Sequence, residues 1–123
     1  VDRVFAGLAA ASGFLAVALG AFGAHALRER LGPDLLGTWQ TAQRLHLFHT
    51  AALLFLAWAC GRWPGAATVV AGWLFVAGLV LFSGSLYALA LTGARWLGSV
   101  TPVGGVALLA GWLVLAWRVW SAP

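Results

Sequence analysis

The sequence predicts an all-α integral membrane protein, a bundle of four transmembrane helices running up and down, with a short interfacial segment between spans one and two. Three observations predict it. Hydrophobic residues make up 63% of the chain and charged residues only 8%, against roughly 25% charged in soluble domains. The apolar residues fall into four runs, each near the ~20 residues that cross a bilayer. Turn residues and arginines separate the runs. At 123 residues the chain holds one domain.

Span one is expected at about residues 4–24. The run continues to Ala24 with no cleavage site and no polar mature sequence after it, so it reads as a retained span and not a signal peptide. Ala9/Gly13 and Ala16/Gly20/Ala24 repeat at four-residue spacing, which lets helices approach closely in lipid. A polar segment follows, with Arg28, Glu29 and Arg30 as its charge cluster and Gly32-Pro33-Asp34 as a turn. An interfacial stretch at about 28–38 is expected, including a short turn at 35–37. Thr38 is the N-cap candidate for span two, expected at 39–60.

Trp39, Gln43, His46, His49 and Thr50 fall within one face of span two about 120° wide. Gly61-Arg62-Trp63-Pro64-Gly65 is a tight hairpin. Span three is expected at 66–91, with Ser83, Ser85, Tyr87 and Thr92 in and after its second half and Gly84/Ala88 as small-residue spacing. Thr101-Pro102 reads as N-cap and N1 of span four, at 102–120, with Ala107 and Gly111 as close-approach positions.

The net charge of +4 reflects seven arginines against three acids, so the balance marks few acids and not a nucleic-acid face. Arginines near helix ends snorkel to headgroups. Arg28, Arg30, Arg44 and Arg95 share one side and are candidates for anionic-headgroup binding. Trp63, Trp96, Trp117 and Trp120 lie near predicted ends, where indoles favour the interface. One cysteine, Cys60, excludes an internal disulfide. The arginine count, four on one side against three on the other, does not decide orientation.

An up-down topology brings the end of span one, the start of span two, the end of span three and the start of span four to one membrane side. His25, Gln43, His46, His49, Ser83, Ser85, Tyr87 and Thr101 all fall there. The other half reads as hydrocarbon. Buried polar groups need partners in lipid, so these residues are expected to form a polar half-cavity or to hold helices together. His46 and His49, three apart on a helix, with His25 as a third ligand, form the candidate divalent-metal set. No carboxylate accompanies them in the spans, which weakens a hydrolytic site. Nothing specific supports haem. The acids Asp2, Glu29 and Asp34 lie outside the core, so no nucleophile triad forms and no catalytic residue is assigned.

These motifs also carry a resemblance. Gly20-Ala21-Phe22-Gly23-Ala24-His25, Trp39-x-Thr41-Ala42 with His46 and His49, Leu81-Phe82-Ser83-Gly84-Ser85-Leu86-Tyr87, and Gly98-x-x-Thr101-Pro102-x-Gly104-Gly105 run in order across nearly the whole chain. The chain resembles the small membrane-protein family called domain of unknown function 423, which includes transmembrane protein 256. It departs from the family's pattern at Leu45, where tyrosine is usual. The resemblance implies a four-span inner-membrane protein and carries no activity with it.

The reading is therefore a small multi-pass protein of a bacterial cytoplasmic membrane, more a binding protein than an enzyme. Its polar half-cavity would take a small ligand, a lipid headgroup or a partner. The alternatives are an accessory subunit of a larger, for example respiratory, membrane complex, and a metal- or haem-binding protein or small transporter. Membrane lipids and a homo-oligomer or larger complex are the expected partners; nucleic acid is not.

Overall fold

The computed structural model describes residues 1–123, all helix and turn with no strand. Four long helices follow one another: α1 (Asp2–Phe22), α2 (Pro33–Arg62), α3 (Ala66–Thr92) and α4 (Thr101–Ser121). A π-helical turn, Gly23–Leu27, extends α1, and a 3-10 turn, Arg95–Ser99, leads into α4.

Each helix packs antiparallel on the next, and the register can be read from named pairs. Ser12 meets His46 and Thr50 across α1 and α2. Ser83 meets Ala42, and Tyr87 meets His46, across α2 and α3. Ser85 meets Thr101 at one end of the α3–α4 pair, and Phe75 abuts Gly111 further along. The core lies among the four helices. Phe5, Leu53, Leu56 and Phe75 are fully buried there. A second cluster at the polar end joins Trp39, Leu27, Ala42, Tyr87 and Ala90.

The helix boundaries depart from expectation mainly in α2. There is no separate turn at 35–37 and no N-cap at Thr38. The helix begins at Pro33 and runs 30 residues without a break. Proline at N1 is already set for a helix and gives up a donor that has no partner there anyway. Asp34 in the first turn complements the macrodipole. The Thr38 hydroxyl instead donates back to the Asp34 carbonyl at 3.1 Å. The interfacial link therefore shrinks to the turn around Arg28–Gly32. At the other end of the bundle, Trp63–Gly65 makes the hairpin, and Gly65 adopts φ 137°, which a side chain would resist.

Asp2–Leu27, Ala66–Thr92 and Arg95–Ser121 are long and apolar enough to cross a membrane. α2 is not in that class, although it is the longest helix. Its first half carries Gln40, Gln43, Arg44, His46 and His49.

Glycines divide into two kinds. A Cβ on Gly104 would run into the backbone of Leu81 and Phe82, and one on Gly78 would meet Leu108 and the Gly104 carbonyl. These residues bring α3 and α4 into backbone contact. Gly84, expected as another close-approach position, has nothing within 4 Å of a Cβ. It faces open space. Gly104→Ala is therefore expected to destabilise the protein by about 1–3 kcal/mol, because a backbone cannot step aside. Gly84→Ala should stay within about 0.5 kcal/mol of the parent. Detergent-based unfolding of the two variants side by side checks this.

Candidate functional site

The polar residues on the inner face of α2 do not open into one cavity. They divide into separate pairings that hold the helices together. The largest ties α1, α2 and α3. Gln43 donates its amide N–H to the Ala16 carbonyl at 2.6 Å and accepts from the Tyr87 hydroxyl at 2.7 Å. His46 Nδ1 lies 2.9 Å from the same hydroxyl, and its Nε2 lies 3.0 Å from Ser12 Oγ. Ser12 Oγ contacts Thr50 Oγ1 at 2.6 Å, and Thr50 Oγ1 lies 2.8 Å from the His46 carbonyl. Beside this chain the Ser83 hydroxyl donates to the Ala42 carbonyl at 2.9 Å.

A second pairing ties α2 to α4. The Trp112 indole N–H donates to His49 Nε2 at 3.1 Å, and His49 Nδ1 donates to the Leu45 carbonyl at 3.0 Å. The His49 ring sits among Phe48, Phe75 and Trp112. A third ties α3 to α4: Ser85 shares a hydrogen bond with Thr101 and also donates to the Phe82 carbonyl at 3.0 Å. At the polar end the Trp39 indole N–H reaches the Leu19 carbonyl at 3.3 Å. Its ring packs against Tyr87 with centroids 4.6 Å apart. The Trp39 indole fills the space beside Gly23, where a Cβ would collide with it. Gly23 opens the π-helical turn. No buried side-chain polar atom is left without a partner.

The structure thus brings together Gln43, His46 and Tyr87, and separately Ser85 with Thr101. It does not gather the three histidines. His46 and His49 are buried, with both ring nitrogens of each already engaged, and His25 is exposed on the π-helical turn. No group of three His, Cys, Asp or Glu side chains comes together in metal-binding geometry. The expected metal set therefore does not assemble: the rings of His46 and His49 are each committed to partners on other helices or their own backbone. The expected hydrocarbon half is also not wholly apolar. Thr68, fully buried near the opposite end, donates to the Trp63 carbonyl. Among the arginines, Arg28 borders a polar cleft of about 440 Å³ beside Gly20, Trp39, Gln40 and Gln43. Arg30, Arg44 and Arg95 are exposed, and Arg44 donates to the Thr41 hydroxyl at 3.2 Å.

Sequence reasoning missed Ser12 and Trp112. Ser12 is the lone hydroxyl in an apolar run, and a polar group there must find a partner; that was its available signal. Trp112 has none, since it lies mid-helix among ordinary apolar residues.

The site's open space is a lateral groove of about 330 Å³ between α1 and α3, floored by α2. Its walls are apolar: Leu8, Ala11, Leu15 and Leu19 on one side, Val76 and Val80 on the other. Ser12, His46, Ser83 and Tyr87 border its floor; the first two and Tyr87 are bonded in one chain, and Ser83 donates to the Ala42 carbonyl. Gly84 lies on its edge.

Fold and site define a small helical membrane protein whose buried polar side chains clamp its own helices and leave an apolar groove beside them. The chain belongs to the family described as protein of unknown function (DUF423), which matches residues 19–105. Among its relatives is the UPF0382 membrane protein YwdK of Bacillus subtilis, 44% identical over 73% of this chain and 74% of the relative. A UPF0382 membrane protein of Staphylococcus epidermidis is 43% identical over 92% of both chains. The UPF0382 inner membrane protein YgdD of Escherichia coli K12 is 49% identical over 68% of this chain and 64% of the relative. No solved structure matches the chain.

Tyr87→Phe is expected to cost about 1–3 kcal/mol, because it strands His46 Nδ1 and Gln43 Oε1 away from water. Ser12→Ala, on the far side of the same imidazole, should couple to it. The double variant is expected to differ from the sum of the singles by about 0.5–3 kcal/mol. A double-mutant unfolding cycle in detergent reads that difference, and strict additivity would mean the contacts do not act as one chain.

Proposed function

We propose that this protein is a four-span, non-enzymatic protein of a bacterial cytoplasmic membrane that holds the acyl chain of a bilayer lipid in the groove between α1 and α3. The observation that carries the reading is the pairing of every buried side-chain polar atom. A groove whose floor groups are already satisfied presents hydrocarbon to its occupant. An occupant with a hydrogen-bonding head would have to break internal bonds to use that floor. The volume is at the lower end of ligand pockets, roughly 300–1,000 Å³, and the groove opens sideways between two apolar helices, where lipid is the neighbour.

Crossing by α2 rests on the direction of its side chains. Its outward face carries Leu47, Phe48, Leu54, Phe55 and Trp58, all exposed. Gln43, His46 and His49 turn inward onto α1, α3 and α4. It also lies antiparallel beside α1 and α3 along their length. Composition alone undervalues such a helix, because Gln43, His46 and His49 are paired inside the bundle, while Gln40 and Arg44 are exposed only in its first turns.

Gly84→Leu tests the groove. The position borders it and has room for a side chain, and leucine is the better helix former. Native mass spectrometry of protein released from lipid nanodiscs is expected to show a retained phospholipid on the wild type. Gly84→Leu should lose most of it while unfolding at the same denaturant level. Equal lipid on both, or none on the wild type, would overturn the reading.

A further inference from the structure

His46 and His49 are both buried, at 6% and 3% exposure, and both use two ring nitrogens. Their partners differ in kind. His49 has one-way partners. The Leu45 carbonyl can only accept, so Nδ1 must carry the hydrogen. The Trp112 indole can only donate, so Nε2 must offer its lone pair. A proton added at Nε2 would set N–H against N–H.

His46 stands between groups that can reverse. Its chain has five contacts that each need one hydrogen: Tyr87–Gln43, His46–Tyr87, His46–Ser12, Ser12–Thr50 and Thr50 to the His46 carbonyl. The Tyr87 hydrogen is committed to Gln43 Oε1, since the Gln43 amide nitrogen faces the Ala16 carbonyl. Nδ1 of His46 therefore donates to Tyr87. With a neutral ring, three hydroxyls and one N–H supply four hydrogens for five contacts. One contact on the Ser12 side is then empty. With a proton on Nε2 the count is five for five. Nε2–H donates to Ser12, Ser12 to Thr50, and Thr50 to the His46 carbonyl.

We propose that His46 is a proton-binding site within the bundle, and that His49 is held neutral in its Nδ1–H form. Uptake adds one proton to Nε2 of His46. The Ser12 hydrogen then turns from Nε2 to Thr50, and the Thr50 hydrogen turns to the carbonyl. No covalent bond breaks and no heavy atom needs to move. Few ionisable groups face this ring. α1 carries only Asp2 and Arg3, near its start, α3 only Tyr87, and α4 only Arg118, in its last turn. On α2 the neighbours in sequence are Arg44, which is exposed, and His49. The added charge is held by the Tyr87 and Ser12 hydroxyls on either side of the ring, with a neutral His49 adding no repulsion. The inference stands apart from the lipid reading, because it depends on the polar chain and not on what fills the groove.

The test is ring-nitrogen NMR of histidine-labelled protein in nanodiscs across about pH 4 to 8. As pH falls, His46 is expected to pass from the Nδ1–H neutral form to the imidazolium, with its two nitrogen shifts converging. His49 should keep one neutral tautomer throughout. Ser12→Ala removes the reversible acceptor, so the His46 conversion should vanish from the window while His49 signals report an intact fold. Trp112→Phe frees Nε2 of His49, which should then begin to convert. A wild-type His46 that stays neutral across this range would overturn the proposal. So would a wild-type His49 that titrates with it, or a Ser12→Ala protein in which His46 converts as before.

Discussion

The need to pair polar groups where no water can reach them governs this bundle. An unsatisfied donor or acceptor in hydrocarbon costs several kcal/mol, whereas a satisfied interhelical hydrogen bond in a membrane averages only about 0.6 kcal/mol. The asymmetry means that the chain from Ala16 through Gln43, Tyr87, His46 and Ser12 to Thr50 contributes little by being made. It penalises any other arrangement heavily. A slip of α1 by one turn would strand Gln43, His46 and Ser12 together. Register, more than raw stability, is what these residues supply.

Packing divides the work differently between the two halves of the bundle. Lipid is as apolar as leucine, so burying Phe5, Leu56 or Phe75 gives no hydrophobic gain between helices. What remains is close contact. The α3–α4 pair obtains it with glycine: Gly78, Gly104 and Gly111 let backbone and ring edges meet. The α1–α2 pair uses small residues and polar bonds together, with Gly20 admitting the Gln43 amide. α1 reaches α3 through Phe5, which fills the space at Gly72 and packs on Trp73 at 5.3 Å. Phe5 lies near the start of α1. Towards Ser12 and Leu19 the two helices stand apart, and the groove is the result.

The helices were legible because hydrophobic runs and breakers are local signals. Pro64-Gly65 marked its turn correctly, and Thr101-Pro102 the start of α4, although the N-cap is Val100 and the Thr101 hydroxyl turns to Ser85 and the Leu97 carbonyl instead. The start of α2 was not legible, because Gly32-Pro33-Asp34 reads equally as a turn and as a helix start, and only the antiparallel partner decides. The polar stripe on α2 was visible from its 100° periodicity, and the stripe does face inward. What it meets was not visible. His25 lies three residues beyond Phe22 on a π-helical turn and is exposed. Ser12 lies too far from the polar end to be grouped with it by topology alone. Gly84 looked like the other small residues, yet it borders space. Spacing reports a face, and only the neighbour tells whether that face is filled.

The polar residues were expected to form a polar half-cavity or to hold the helices together; beside the groove between α1 and α3 they do the second, and the groove itself is apolar. The two are linked. Each hydroxyl, amide or imidazole on the floor of the groove could have pointed outward and waited for a ligand. In this fold each is turned to another helix instead, because α1, α2 and α3 would otherwise carry unpaired groups at every moment the groove stood empty. A membrane site that kept such groups free would need a permanent occupant or water to satisfy them. By pairing Ser12, His46, Ser83 and Tyr87 internally, the bundle can stand with its groove open to hydrocarbon. The same step leaves the Ser12 hydroxyl free to reverse its hydrogen, since a hydroxyl both gives and accepts. Stability in lipid and the capacity to take up a proton then arise from one arrangement of side chains, without any charged partner inside the membrane.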